Sequence, residues 1–95
     1  MVVHLVSFKY KADVDAATRA NHCSQLRRLA DLDGILDFKV GEDFMRLERS
    51  YDTGVVVLFR DRAALEQYAA HPRHVPVAQL GRELSSHIVA VDFDA

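Results

Sequence analysis

Two segments that are apolar on both alternate faces constrain this chain more than any other feature. Residues 2–10 read Val-Val-His-Leu-Val-Ser-Phe-Lys-Tyr, and residues 54–60 read Gly-Val-Val-Val-Leu-Phe-Arg. Successive side chains of a strand point to opposite faces, so apolar residues at consecutive positions need cover on both sides. Each segment therefore predicts a central strand. In the first, Val2, His4, Val6, Phe8 and Tyr10 form one set and Val3, Leu5, Ser7 and Lys9 the other. The pattern leaves open which set faces the helices.

The remaining elements follow from weaker signals. Asp13 is placed to cap a helix over about residues 14–31, with Ala16, Ala20, Cys23, Leu26, Leu29 and Ala30 as its buried stripe and Asp33-Gly34 as its stop. Leu36, Phe38 and Val40 alternate with Asp37, Lys39 and Gly41, which predicts a half-buried edge strand. A polar loop runs through Glu48, Arg49 and Ser50. Asp61 caps a short helix bearing Leu65 and Tyr68, and Pro76 suits the first turn of another, with Val77, Leu80 and Leu84 inward. A last strand covers 86–93. There His87, Val89, Val91 and Phe93 alternate with Ile88, Ala90 and Asp92.

The order β-α-β-β-α-α-β predicts an α+β domain with a four-stranded antiparallel sheet, strands one and three inside. Helices can cover only one face of it. The other face would stay apolar and exposed in a monomer, which predicts a homodimer.

The candidate chemistry lies in Tyr68-Ala69-Ala70-His71-Pro72-Arg73-His74. A phenol and two imidazoles fall within seven residues, and Pro72 stops one helix from carrying all three. Imidazoles near neutral pKa and a phenol suit proton transfer, and they equally suit hydrogen bonding in a cavity wall. His74 is the candidate general base and Tyr68 the group that holds or polarises a carbonyl oxygen. His71, just before Pro72, reads as a turn residue that can also reach a ligand. His4, within an apolar strand set, reads as a cavity-wall residue.

Other classes are disfavoured. Ninety-five residues make one domain with a modest core. A net charge of −2 gives no basic field for nucleic acid. The apolar start, Met1 to Val6, lacks a basic region and a cleavage site, so it reads as a strand and not a signal peptide, and no apolar run approaches membrane-spanning length. Cys23 is the only cysteine, which excludes an internal disulfide and fits the cytoplasm. It reads as inert core. His71 and His74 lack the one-face spacing of histidines four apart on a helix, and no neighbouring carboxylate or cysteine completes a set, so no metal is expected. No glycine-rich phosphate loop, nucleophile-elbow serine or Cys-x-x-Cys pair is present, and no cofactor is expected.

The chain resembles the stress-responsive A/B barrel (Dabb) domain along its whole length, residues 1–95. The matching pieces are His4-Leu5-Val6-Ser7-Phe8-Lys9, Tyr51-Asp52, Phe59, the stretch Leu65 to His74 with its Tyr-x-x-His-Pro-x-His element, and Val91-Asp92-Phe93. The resemblance implies a ferredoxin-like fold whose open sheet faces pair as a dimeric α+β barrel. One plant member is a polyketide cyclase acting by aldol condensation. Its catalytic tyrosine and histidine fall at Tyr68 and His74, and it has a cavity histidine at the position of His4. Thr53 stands where that enzyme has a further cavity histidine.

Three readings follow. The preferred one is a homodimeric module that binds a small carbonyl-containing or hydrophobic ligand, with no assignable reaction. The alternative is a cofactor-free cyclase or lyase using Tyr68 and His74 on a carbonyl substrate. The third is a purely structural oligomer. A ligand-sized pocket reached by both Tyr68 and His74 favours the first two, and a filled interior favours the third.

Overall fold

The computed structural model describes all 95 residues. Its elements run β1 (Val2–Tyr10), α1 (Ala16–Arg27), β2 (Ile35–Glu42), β3 (Thr53–Phe59), α2 (Arg62–Ala70), α3 (His74–Leu84) and β4 (Ser85–Asp94). The strands form one antiparallel sheet in the order β2-β3-β1-β4, so the two doubly apolar strands are central. The fold is ferredoxin-like, with the three helices on one face.

The helix-facing set of β1 is Val2, His4, Val6, Phe8 and Tyr10. These residues stand opposite Phe59, Val57, Val55 and Thr53 on β3, with His4 across from Val57 and Phe8 from Thr53. Val57 and Phe59 are fully buried, and Leu26, Leu29 and Leu32 pack over this layer. On the reverse face, Val3, Leu5 and Ser7 lie beside Leu58, Val56 and Gly54 on one flank and Phe93, Val91 and Val89 on the other. Val56, Val89, Val91 and Phe93 are exposed there.

Four sequence expectations need correction. The cap of α1 is Asp15, not Asp13: its carboxylate accepts the Thr18 N–H at 2.8 Å. The helix is also shorter than 14–31, because the chain breaks into turns after Arg27. His22, Cys23, Leu26 and Leu29 point inward, whereas Ala16, Ala20 and Ala30 are exposed. On β2, Ile35 pairs with Phe59 and Asp37 with Leu58, so Leu36 is a bulge residue. The bulge turns Leu36 outward to 54% exposure and puts Ile35, Phe38 and Val40 against the core. Gly34, which feeds β2, has φ +85°, and a Cβ there would lie 2.5 Å from that of Ala64, so only glycine fits.

No helix is long and apolar enough to cross a membrane.

Candidate functional site

The site is built around Pro72. A proline disfavours helical backbone in the residue before it, and His71 is extended at ψ 137°, ending α2. The chain then turns at once into α3: the His74 and Val75 N–H groups donate to the His71 carbonyl at 2.9 and 3.0 Å. The His71 ring Nδ1 accepts the Arg73 N–H at 3.0 Å. This turn brings the first residue of α3 back over the last turns of α2. The Tyr68 and His74 rings lie 4.3 Å apart between centroids, tilted by 40°.

Both rings line a pocket of about 210 Å³ between the helices and the sheet. Its walls are mainly apolar: Val6, Phe8, Val55 and Val77 with Ile88 and Ala90 from β4. His4 completes one side. Its ring meets those of Phe59 and Tyr68 edge-on, each at 6.2 Å. The structure thus brings Tyr68, His74 and His4 to one cavity. His71 does not line it and faces its own turn. Arg73, between the two histidines, points away and binds the Arg28 carbonyl and Asp31.

The polar groups have distinct states. His74 Nδ1 donates to the Ala69 carbonyl at 3.0 Å, because a carbonyl can only accept. The proton of the neutral ring therefore sits on Nδ1, and Nε2 keeps its lone pair. Burial pushes the His74 pKa down, with the hydrogen bond to Ala69 opposing and the charges of His4, Arg82 and His71 adding to the fall. His74 is a neutral acceptor at pH 7. Burial pushes the Tyr68 phenol up to about 12, so it remains a donor. Its hydroxyl makes no hydrogen bond to protein, and the residue is otherwise buried. An unpartnered hydroxyl facing a cavity beside an oriented imidazole can hold a ligand oxygen while the imidazole accepts a proton from the neighbouring carbon.

Two residues of the site are missing from the sequence expectations. Asp92 holds His4 Nδ1 from the adjacent strand. The signal was the β4 alternation that sets Asp92 with Ile88 and Ala90, but it becomes a pair only through the His4–Asp92 register. Arg82 lines the pocket from α3, eight residues after His74. Two helical repeats of four place it on the same face, a signal the sequence did carry.

A larger depression, about 550 Å³, lies around the Tyr10 end of β1. Its charged residues are largely paired among themselves, Arg19 with Glu42 and Arg46 with Asp43 and Asp52. It presents no comparable set of free polar groups.

The model of the Stress Responsive A/B Barrel Domain matches residues 2–95. The chain belongs to the Dabb family. Solved structures of similar shape include a dimeric ferredoxin-like protein of unknown function from Thermobifida fusca, with TM-score 0.91 and 21% identity, covering 99% of this chain and 90% of that one. A dimeric ferredoxin-like protein of unknown function from Jannaschia sp. has TM-score 0.83 and 27% identity, covering 99% and 98%. Hydroxynitrile lyase from Passiflora edulis has TM-score 0.85 and 15% identity, covering 97% and 90%. No curated protein matches the sequence. The Dabb family thus contributes the fold and the dimeric form of its neighbours, and the residues of the pocket must carry any claim about chemistry.

Proposed function

We propose that this Dabb chain is a homodimeric module whose Tyr68–His74 pocket binds a small carbonyl-bearing or hydrophobic ligand. One observation carries the reading: the Tyr68 hydroxyl has no protein partner and opens onto an apolar pocket that it shares with an imidazole of fixed tautomer. His4, held by Asp92, supplies a second polar contact. His71 would act only through the turn that presents His74. The exposed apolar face of Val56, Val89, Val91 and Phe93, together with the dimeric neighbours, supports pairing of two protomers through their sheets. The lone buried Cys23 suits a cytoplasmic setting.

A second reading has a specific observation behind it. The free Nε2 of His74 is a suitable base for the carbon beside a ketone. In that step the C–H bond breaks, its proton moves to Nε2 and its electron pair forms the enolate C=C bond. The oxygen gains the negative charge and takes the Tyr68 hydrogen bond. That is the first half of a cofactor-free aldol or lyase reaction.

Titration of labelled protein with a small methyl ketone tests both readings. Binding should shift the amides of Val77, Ala78 and Ala90, and Tyr68→Phe and His74→Ala should weaken it without unfolding the domain. Protein-dependent exchange of the ketone's α-hydrogens into heavy water, lost in His74→Ala, would favour the enzyme. Unmoved pocket amides at high ketone concentration would count against ligand binding. For assembly, Val91→Glu should yield folded monomer by sedimentation, and an unchanged dimer would mean the contact lies elsewhere.

A further inference from the structure

We infer that the ligand of this pocket carries an anionic group, a carboxylate or its equivalent, held by Arg82 while the carbonyl lies at Tyr68 and His74. The inference rests on the ligand-binding reading above and names the class of ligand. Arg82 is the only arginine lining the pocket, and no lysine, aspartate or glutamate lines it. His74, Ala78 and Arg82 are spaced four apart on α3, and all three line the cavity. A helical side chain leans toward the N-terminus, so Arg82 reaches back along α3 toward His74. Its hydrogen bond follows that direction: Nη2 donates to Gln79 Oε1 at 2.9 Å, one turn earlier.

The guanidinium has no carboxylate partner. No ion pair of the protein includes Arg82, and the adjacent Glu83 instead accepts from Gln79 Nε2 at 3.2 Å. Arg46, Arg62 and Arg73 each hold a carboxylate. Asp92, on the strand beside the pocket residue His4, is engaged by it. An arginine free of acids at the edge of an apolar cavity offers paired donors matched to a carboxylate. Arg82 is itself exposed, so it would meet the anion at the mouth of the pocket, in contact with water.

The ligand class is therefore an oxo-acid: a short apolar chain with a ketone at one end and an anion at the other. A series of such acids, from 4-oxopentanoate to 7-oxooctanoate, is titrated beside the corresponding methyl esters. Wild type should bind at least one acid about tenfold more tightly than its ester, the scale of one charge-assisted hydrogen bond partly exposed to water. Arg82→Gln should weaken the acid far more than the ester and so abolish the preference. Arg82→Lys, which keeps the charge, should retain part of the preference. Amide spectra of each variant report whether the fold is intact. Equal affinity for acids and esters in wild type overturns the inference and spares the pocket. So does a preference that survives in Arg82→Gln, which would assign the anion to another cation. If no acid or ester moves the pocket amides, the ligand-binding reading fails and the inference falls with it.

Discussion

The helix-facing side of the sheet holds two tyrosine–histidine pairs, and they are built oppositely. Tyr68 and His74 border a cavity, and the phenol is unpartnered. Tyr10 and His22 are packed shut. The Tyr10 hydroxyl donates to Thr53 Oγ1 at 2.8 Å and, having one hydrogen, accepts from His22 Nδ1 at 2.7 Å. The Phe8 ring stands edge-on to His22 at 4.8 Å, and Gly81 of α3 closes in from above. His22 is fully buried, with Nε2 unpaired. Burial raises both phenols to about 12 and lowers both imidazoles. A shifted pKa therefore does not distinguish a site from a strut. What separates them is where the polar groups are spent: inside the protein for Tyr10, toward a void for Tyr68.

The largest effect expected from this contrast is on stability. Tyr10→Phe strips a partner from Thr53 and from His22 Nδ1, both buried, and should cost about 1–3 kcal/mol. Tyr68→Phe removes no protein hydrogen bond and should stay within about 0.5 kcal/mol. Urea unfolding at constant m-value reads both. Equal losses would mean that Tyr68 is structural too.

The sequence made one of these pairs visible and hid the other for a physical reason. Tyr68 and His74 are joined by local chain geometry, since a proline between them forces a turn that any reader can anticipate. Tyr10 and His22 meet only through packing of α1 on β1, and neither has a local signal. The central strands were legible because two apolar faces demand an interior position. That same symmetry concealed which face carries His4 and Tyr10, so the Thr53–Tyr10–His22 link was out of reach. Leu36 fits a perfect alternation, and only the pairing of Ile35 with Phe59 exposes the bulge. Asp13 and Asp15 are equally good caps on composition, and the choice between them depends on where α1 docks.

A smaller, pH-dependent effect sharpens the contrast. Both imidazoles have folded pKa values below their unfolded value near 6.5, so protonation favours the unfolded chain. Stability should be flat above pH 6.5 and fall below it, by up to about 1.4 kcal/mol per pH unit for each histidine still neutral in the fold. The two should fall by different routes. His74 borders the pocket and should titrate smoothly in the native NMR spectrum. His22 has no water contact, and its ring should hold its neutral shift until the protein opens. Smooth native titration of His22 would show that its surroundings breathe, contrary to a packed strut. Stability unchanged from pH 7 to 5 would contradict both shifts.

The smallest effect concerns the wall between the two pairs. Phe8 lines the open pocket and contacts His22. Gly81 presses on it: a Cβ there would lie 2.8 Å from Phe8 Cε1 and 3.4 Å from His22 Nε2. Alanine at a helix interior gains about 1 kcal/mol over glycine. Overpacking of about 1–3 kcal/mol opposes that gain, so Gly81→Ala should destabilise by about 0–2 kcal/mol net. The more telling consequence is directional. The added methyl can be accommodated if the Phe8 ring moves, and that ring is shared with the pocket. Gly81→Ala should therefore alter ketone affinity, although Gly81 itself does not line the cavity. In a Phe8→Leu background the clash is relieved, and the same substitution should become neutral or stabilising, a non-additivity of contacting residues. If Gly81→Ala costs the same in both backgrounds and leaves the pocket amides unmoved, Phe8 is not the wall, and the packed pair and the open pair are independent structures.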